Sequence, residues 1–298
     1  MSDKEVVTHH RVCHLCEAMC GLVIQTEGAK VVDIRGDRAD PLSRGHICPK
    51  AVALQDIHED PDRLRKPLKR VRSAPGVYHH EEIEWGEAFD LAADALAATI
   101  RDHGVDAVGA YFGNPSVHNF GMLTHQRNLF RHIRTRNRFS ATSVDQLPHH
   151  LVSLWCFGHM LLQPIPDVDR THYFLMLGAN PLVSNGSLWT VPDVRRRLKD
   201  LQARGGKLVV IDPRRTETAE MASEHHFIKP GTDATFLLAM LHVLFRDGLV
   251  DPGAMTSFTD GLDEVGVAVS DLTPQWAEER TGIAAAEIER MAHEMAAA

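Results

Sequence analysis

The stretch VCHLCEAMCG (12–21) places three cysteines, Cys13, Cys16 and Cys20, within eight positions of a chain that has only five cysteines in 298 residues. A fourth cysteine, Cys48, follows after a loop of 27 residues. Disulfide frameworks, structural zinc sites and iron–sulfur clusters all require cysteines crowded in this way. The chemistry of these four residues therefore decides what holds the N-terminal part of the chain together.

The composition narrows the possible function classes. The chain has 32 Lys and Arg against 40 Asp and Glu, and its net charge of −8 argues against binding to nucleic acid, which requires a basic surface. No apolar run approaches the ~18 residues that cross a bilayer, so we expect no direct membrane insertion. The first ten residues carry no export signal, so we expect a cytoplasmic protein. An odd number of cysteines in a reducing compartment argues against a disulfide framework.

The cysteine spacing, C-x2-C-x3-C-x27-C, favours an iron–sulfur cluster over zinc. Structural zinc sites usually combine two CxxC pairs, whereas here one compact trio supplies three ligands and one remote residue supplies the fourth. Pro49 follows Cys48, as a proline often follows a cluster ligand. We therefore favour a [4Fe–4S] cluster, and a zinc-binding structural module stays as an alternative.

Hydrophobic periodicity predicts an α/β fold. Two β-branched runs flank Glu27-Gly28, which predicts a hairpin. Residues 63–84, including the basic run RLRKPLKRVR, are expected to form a solvated linker, and 85–104 a helix. Beyond them, apolar strands alternate with helical stretches, which predicts a mostly parallel sheet. The strands are expected within 106–115, 173–181, 207–215 and 225–233, and the helices at 119–133, about 145–157, 192–203 and 233–246.

Small or polar residues follow each predicted strand. They are Gly113-Asn114, Gly178-Ala179-Asn180, Asp212-Pro213-Arg214 and Gly231-Thr232-Asp233. Open α/β sheets bind ligands beyond the carboxyl ends of their strands, so this pattern predicts a binding site there. The alternative is that these residues only form turns. No GxGxxG or P-loop motif supports a conventional NAD or nucleotide site.

Five later segments complete a recognisable order: WGEAFD, SVDQLPHH, LMLGANPLVSN, VVIDPRRTETAEMA and IKPGTDATFLLAM. Together with the cysteine segments they resemble the molybdopterin oxidoreductase family. These bis-molybdopterin guanine dinucleotide enzymes include formate dehydrogenases, nitrate reductases and polysulfide or thiosulfate reductases. The resemblance implies a small β-rich [4Fe–4S] domain followed by a doubly wound, mostly parallel α/β domain that binds the nucleotide. The implied domains are 1–62 (cluster), 63–104 (linker and first part of a split α/β domain), 105–260 (Rossmann-like nucleotide binding) and 261–298 (a truncated helical segment).

The resemblance also implies roles for individual residues. Cys13, Cys16, Cys20 and Cys48 would ligate the cluster, and Lys50 would relay electrons between cluster and pterin. One arm of a molybdopterin guanine dinucleotide carrying molybdenum or tungsten would bind at the strand ends. Its expected contacts are Gly178, Asn180, Pro181, Ser184, Asn185, Asp212, Pro213, Arg214, Arg215, Gly231, Thr232 and Asp233. The arginines suit a diphosphate, and the aspartates can accept from guanine N–H groups or ribose hydroxyls.

The sequence departs from the family at the metal. The position where many members place a cysteine ligand corresponds to Leu151, which cannot coordinate a metal. Asp145 is the nearest carboxylate, and His150 is a candidate proton shuttle. Either the metal carries only pterin and inorganic ligands, or Asp145 is the protein ligand. Cys156 is expected to be a core residue rather than a ligand.

Family members are considerably longer, so we expect this chain to be the N-terminal part of such an enzyme. The expected chemistry is a two-electron reaction of a small-molecule substrate, formate among the candidates. Single electrons would pass through the cluster to a redox partner protein or electron-transfer subunit. The rival hypothesis is a non-catalytic iron–sulfur electron-transfer or scaffold subunit of the same fold that lacks the metal.

Overall fold

The computed structural model describes residues 5–113, 115–185 and 189–298. Asn114, one of the predicted strand-end residues, lies outside these ranges. The chain divides into two compact units, one ending at Pro164 and the other spanning Ile165–Ala298. Each unit has its own secondary structure and packing. No helix in the described ranges is long and apolar enough to cross a membrane.

The first unit begins with a three-stranded antiparallel sheet. Its strands pair in the order β1 (Val6–Val12), β2 (Gly21–Glu27) and β3 (Lys30–Gly36). The predicted hairpin is confirmed, and Gly28 makes its turn with φ +63°, a conformation that glycine adopts without strain. Two short helices follow, α1 (Pro49–Val52) and α2 (Leu54–Glu59).

A second hairpin replaces the expected linker. Strands β4 (Leu68–Ala74) and β5 (Val77–Glu82) pair antiparallel across a turn in which Gly76 has φ +78°. The segment expected to be a solvated linker over 63–84 therefore contains a β-hairpin over Leu68–Glu82 that the sequence analysis did not predict. Almost every side chain of this hairpin is exposed or only half-buried, so the segment lacks the apolar face by which a strand is usually recognised.

The rest of the first unit alternates helices with two short parallel strands, β6 and β7. Its elements are α3 (Trp85–His103), β6 (Ala110–Phe112), α4 (Pro115–His118), α5 (Phe120–Ile133), β7 (Arg138–Ser140) and α6 (Leu147–Phe157). Short 3-10 helices span Val105–Ala107 and Ala141–Val144.

The second unit is built on a parallel sheet in the order β10–β9–β8. Its elements are β8 (Tyr173–Leu177), α7 (Pro181–Ser184), α8 (Val194–Ala203), β9 (Lys207–Ile211), α9 (Glu217–Met221), β10 (Glu224–His226), α10 (Asp233–Arg246), a 3-10 helix (Gly253–Ser257), α11 (Leu262–Ala268), α12 (Pro274–Thr281) and α13 (Ala285–Ala297).

Helices cover both faces of this sheet. In the central strand β9, Leu208 and Val210 pack on the side of α8, whereas Val209 and Ile211 pack on the side of α10 and α13. All four side chains are fully buried, as expected for a parallel sheet whose faces are both covered. The predicted fold class, a small β-rich domain followed by a doubly wound, mostly parallel α/β domain, is confirmed.

Candidate cofactor sites

The cysteine trio forms a closed loop between β1 and β2. The amide of Cys13 donates to the carbonyl of Cys20 over 2.8 Å, which brings the ends of the loop together. Cys48 lies outside this loop, at the N-cap of α1, with Pro49 as the first helical residue. Cys13 and Cys20 are buried and Cys16 and Cys48 are half-buried, so the thiols lie in a shielded environment.

The four thiols act on one another electrostatically. Burial raises the pKa of Cys20 to about 11, and negative charge on Cys13, Cys16 and Cys48 raises it further. Burial also raises the pKa of Cys13, where Cys16 and Cys48 again oppose ionisation. A raised pKa disfavours the thiolate forms of Cys13 and Cys20, whereas a coordinated metal deprotonates its thiol ligands outright. The donor set therefore fits a metal or iron–sulfur centre bound by four thiolates.

Side-chain hydrogen bonds of Ser43 and Asp40 hold the loop that precedes Cys48 in place. Ser43 Oγ accepts from the amide of Gly21, the residue after Cys20, over 3.0 Å. The Asp40 carboxylate accepts from the amide of Ser43 over 2.6 Å and from its hydroxyl. These bonds join the loop that precedes Cys48 to Gly21, directly after the loop Cys13–Cys20.

Lys50 lies in α1, two residues after Cys48, with an exposed side chain. Its positive charge lowers the pKa of Cys13, although burial and the neighbouring thiols have the larger, opposite effect. The charge of Lys50 thus favours ionisation of Cys13. Its role as an electron relay toward a pterin stays a prediction.

Sequence reasoning missed one contact of the cysteine loop. His118 of α4 has its Nε2 3.6 Å from a carboxylate oxygen of Glu17, which lies between Cys16 and Cys20. The two residues are far apart in sequence, and neither belongs to a recognisable spacing pattern. The first unit thus packs a histidine from its α/β part against the cysteine loop.

In the second unit the carboxyl ends of the three parallel strands lie side by side. The amide of Gly178, after β8, donates to the carbonyl of Ile211 at the end of β9 over 2.9 Å. The amide of Asp212, after β9, donates to the carbonyl of His226 at the end of β10 over 3.2 Å. Gly178 has φ +59°, which a side chain would disfavour. The predicted residues after β8 and β9 are therefore together at one edge of the sheet.

Asn180 is a structural hub at this edge. Its Oδ1 accepts from the hydroxyl of Thr218 over 2.7 Å, and its Nδ2 donates to Glu217 over 2.8 Å. Hydrogen bonds from a backbone amide and from Asn180, together with the nearby charge of Arg214, hold the pKa of Glu217 below its usual value. Glu217 and the fully buried Thr218 belong to this edge but were not among the predicted site residues.

The other predicted contacts differ in exposure. Asp212 is buried, and one carboxylate oxygen accepts from the amide of Arg214 over 2.8 Å, which is turn chemistry. Pro181 is buried, whereas Asn185 ends α7 in the left-handed conformation with φ +56°. Pro213, Arg214, Arg215 and Ser184 are exposed.

The loop 231–233 forms the start of α10. Thr232 is the N-cap of the helix, and its hydroxyl donates to the carbonyl of Lys229 over 2.7 Å. Gly231 has φ +82°, and Asp233 is the first helical residue, with a half-buried side chain. The role of these three residues toward a nucleotide stays a prediction.

The region of the expected metal ligand lies in the first unit at α6. Asp145 is exposed and lies two residues before α6, at the end of the 3-10 helix Ala141–Val144. His150 is buried, and its Nδ1 lies 3.0 Å from the carbonyl of Met160, so this histidine also anchors the loop after α6. Leu151 is partly exposed beside it. Cys156 is exposed, so its expected place in the core is wrong.

The comparisons with known proteins identify the family. Residues 7–59 match the model of the molybdopterin oxidoreductase Fe4S4 domain, and residues 63–266 match the model of the molybdopterin oxidoreductase family. The chain is thus an iron–sulfur domain joined to a pterin-binding α/β domain, and it belongs to the molybdopterin oxidoreductase family. These domains imply a [4Fe–4S] cluster and a molybdopterin cofactor carrying molybdenum or tungsten.

The similar proteins are about two and a half times as long as this chain. It is 29% identical to the thiosulfate reductase molybdopterin-containing subunit PhsA of Salmonella typhimurium, covering 96% of the chain and 36% of that protein. It is also 29% identical to formate dehydrogenase H of Escherichia coli, over 97% and 39%. Acetylene hydratase from Pelobacter acetylenicus has the same fold, with a TM-score of 0.75 and 27% identity over 95% and 38%.

Proposed function

We propose that this chain is the part of a cytoplasmic molybdenum or tungsten oxidoreductase that holds the [4Fe–4S] cluster and one molybdopterin guanine dinucleotide arm. The observation that carries the proposal is the placement of the thiols: Cys13 and Cys20 are buried in one cluster against which Cys16 packs, and Cys48 is the half-buried N-cap of α1. A single-electron centre held there would supply electron transfer between the metal centre and a redox partner.

The proposal assigns cluster binding and nucleotide binding to different residues of the chain. Cys13, Cys16, Cys20 and Cys48 would hold the cluster, and the positive charge of Lys50 would favour its reduced state. When bound, the molybdenum or tungsten cofactor supplies the two-electron chemistry at the substrate. The set of twelve strand-end contacts positions the nucleotide arm, with Arg214 and Arg215 available to a diphosphate because both side chains are exposed.

Formate is the first substrate to test, because a formate dehydrogenase is among the similar proteins. Leu151 at the expected ligand position means that this position supplies no sulfur ligand to the metal. Asp145 is the candidate carboxylate ligand, and its exposure before α6 leaves it free to reach a cofactor. His150 is the candidate proton shuttle, with its Nδ1 fixed on the Met160 carbonyl and its Nε2 left for the proton.

Anaerobic reconstitution with iron and sulfide tests the cluster. The reduced protein is expected to give the EPR signal of a [4Fe–4S] cluster, and Cys48→Ser is expected to remove or alter it. Cys156→Ser is the matched control, since this cysteine is exposed and outside the thiol set. A signal that survives replacement of all four cysteines would contradict the proposal, and so would purified protein that holds zinc without acid-labile sulfide.

A non-catalytic electron-transfer subunit is the second candidate, and Leu151 is the observation in its favour. Both candidates keep the cluster, so EPR does not separate them. Metal analysis of the protein produced from the complete gene does. Molybdenum or tungsten in near-stoichiometric amount supports the enzyme, whereas a cluster-loaded protein without either metal supports the non-catalytic subunit.

A further inference from the structure

We propose that a groove on the iron–sulfur domain is the docking surface for an acidic electron-transfer protein. The inference rests on the proposed electron-transfer function and names the chemistry of its partner. The groove has a volume of about 340 Å³ and is lined by residues of the small sheet and of the segment around α2. Its lining combines apolar side chains, among them Leu22, Ile34 and Ile57, with the basic side chains of Arg11 and Arg63.

The floor of the groove is the packing around the cysteines. Leu22 and Ile34 belong to the same buried cluster as Cys13 and Cys20, and Ile24, Val31 and Leu54 pack against that cluster. A partner seated in the groove is therefore separated from the thiols by one layer of aliphatic side chains. One electron would cross this layer, oxidising either the cluster or the carrier while reducing the other, with no bond made or broken.

The rim of the groove is basic in a chain whose net charge is −8. Two arginines and two histidines line it, and no described Asp or Glu does; Glu59 lies at its edge, where its carboxylate accepts from the amide of Val31 over 3.1 Å and is 4.0 Å from Nε2 of His58. Across the described ranges, neither Arg11 nor Arg63 forms an ion pair with a carboxylate; Arg11 donates instead to the carbonyl of His10 over 2.7 Å. Two unneutralised guanidinium groups flank an apolar floor, and the complementary surface is a ring of carboxylates around an apolar centre.

The exposure of the lining favours a protein over a small anion. Arg11, His14, His58 and Arg63 are all exposed, so no buried donor defines a closed anion site. Val12 and Ile57 are 61% and 51% exposed at the edges, which supplies the apolar part of a contact surface. A second copy of this chain would place two basic rims opposite each other across a two-fold axis, and like charges disfavour that arrangement.

Binding to an acidic [2Fe–2S] ferredoxin tests the proposal, with basic mitochondrial cytochrome c as the opposite-charge probe. The reconstituted full chain is titrated with each protein at low and at high ionic strength. The test variant is Arg11→Glu/Arg63→Glu. The control, Arg72→Glu/Arg127→Glu, changes the net charge equally through two exposed arginines outside the groove.

The wild-type chain is expected to bind the ferredoxin in a salt-dependent manner, and the groove variant about tenfold or more weakly. The control variant is expected to stay within about twofold of wild type, because its charges lie away from the contact. The milder variant Arg11→Gln/Arg63→Gln should lie between wild type and the charge reversal.

Equal loss in both doubly reversed variants would overturn the proposal, since it would reflect net charge alone. A wild-type chain that ignores the ferredoxin, or that prefers cytochrome c, would also overturn it. Self-association that the groove variant abolishes would assign the surface to a second copy instead. EPR of the same samples separates the two claims: binding is measured directly, whereas a missing cluster signal is a failure of the proposed function.

Discussion

Replacing Gly36 by alanine would add a methyl group 2.0 Å from the carbonyl oxygen of Gly45. Gly36 ends β3, and Gly45 lies three residues before Cys48 with φ +85°, so the clash falls on backbone that leads to the fourth thiol. A methyl group forced into packed backbone costs about 1–3 kcal/mol and shifts the chain around it. We therefore expect Gly36→Ala to lower the free energy of unfolding of the first unit by this amount and to reduce iron retention.

The matched control is Gly86→Ala in the first turn of α3. No neighbouring heavy atom lies within 4 Å of its added methyl group, and alanine in a helix is more favourable than glycine by roughly 0.5–1 kcal/mol. Urea unfolding followed by circular dichroism, with iron release as the second readout, compares the two variants anaerobically. Equal midpoints and equal iron content in Gly36→Ala and wild type would refute the close approach of β3 to the loop that precedes Cys48.

Two further predictions concern the second unit. Burial raises the pKa of Glu224, but hydrogen bonds from Lys207, Arg290 and His226 outweigh burial and lower it to about 2. A depressed carboxylate pKa contributes stability above its unfolded value, and that stability is lost as the pH falls from about 5 toward 2. Thermal melts across this range should therefore show a steeper loss for wild type than for Glu224→Gln, and parallel curves would contradict the network. Thr218→Val removes the buried hydroxyl that donates to Asn180, and it should cost about 1–3 kcal/mol in urea unfolding. The exposed Thr259→Val is expected to stay within about 0.5 kcal/mol of wild type, and an equal loss in both would refute the hub.

Local signals made part of this structure predictable. The cysteine spacing predicted a thiol cluster, and the apolar runs of β8 and β9 predicted a buried parallel sheet, because both patterns are contained in short segments. The hairpin Leu68–Glu82 was missed because it buries almost no side chain. The exposure of Cys156 was also missed, because the apolar residues around it in α6 are themselves exposed.

The long-range contacts of the candidate sites were not predictable. Asn180 was predicted as a ligand contact from its place after a strand, and nothing in that segment indicates its bond to Thr218, 38 residues away. The contact between Glu17 and His118 likewise depends on tertiary packing. Sequence reasoning identified the residue types of the sites, but the contacts that support them arise only from the folded chain.

The Asn180 hub has a consequence for ligand affinity. Its two side-chain bonds fasten the segment after β8 to α9, so contacts within the chain itself hold this backbone in place. Fixing one residue into a single backbone conformation costs roughly 1–2 kcal/mol of conformational entropy. For this segment the loss belongs to the folding of the chain and not to the binding of a ligand. A molecule bound at this edge would therefore meet a preorganised surface, and its association should proceed with little loss of chain entropy.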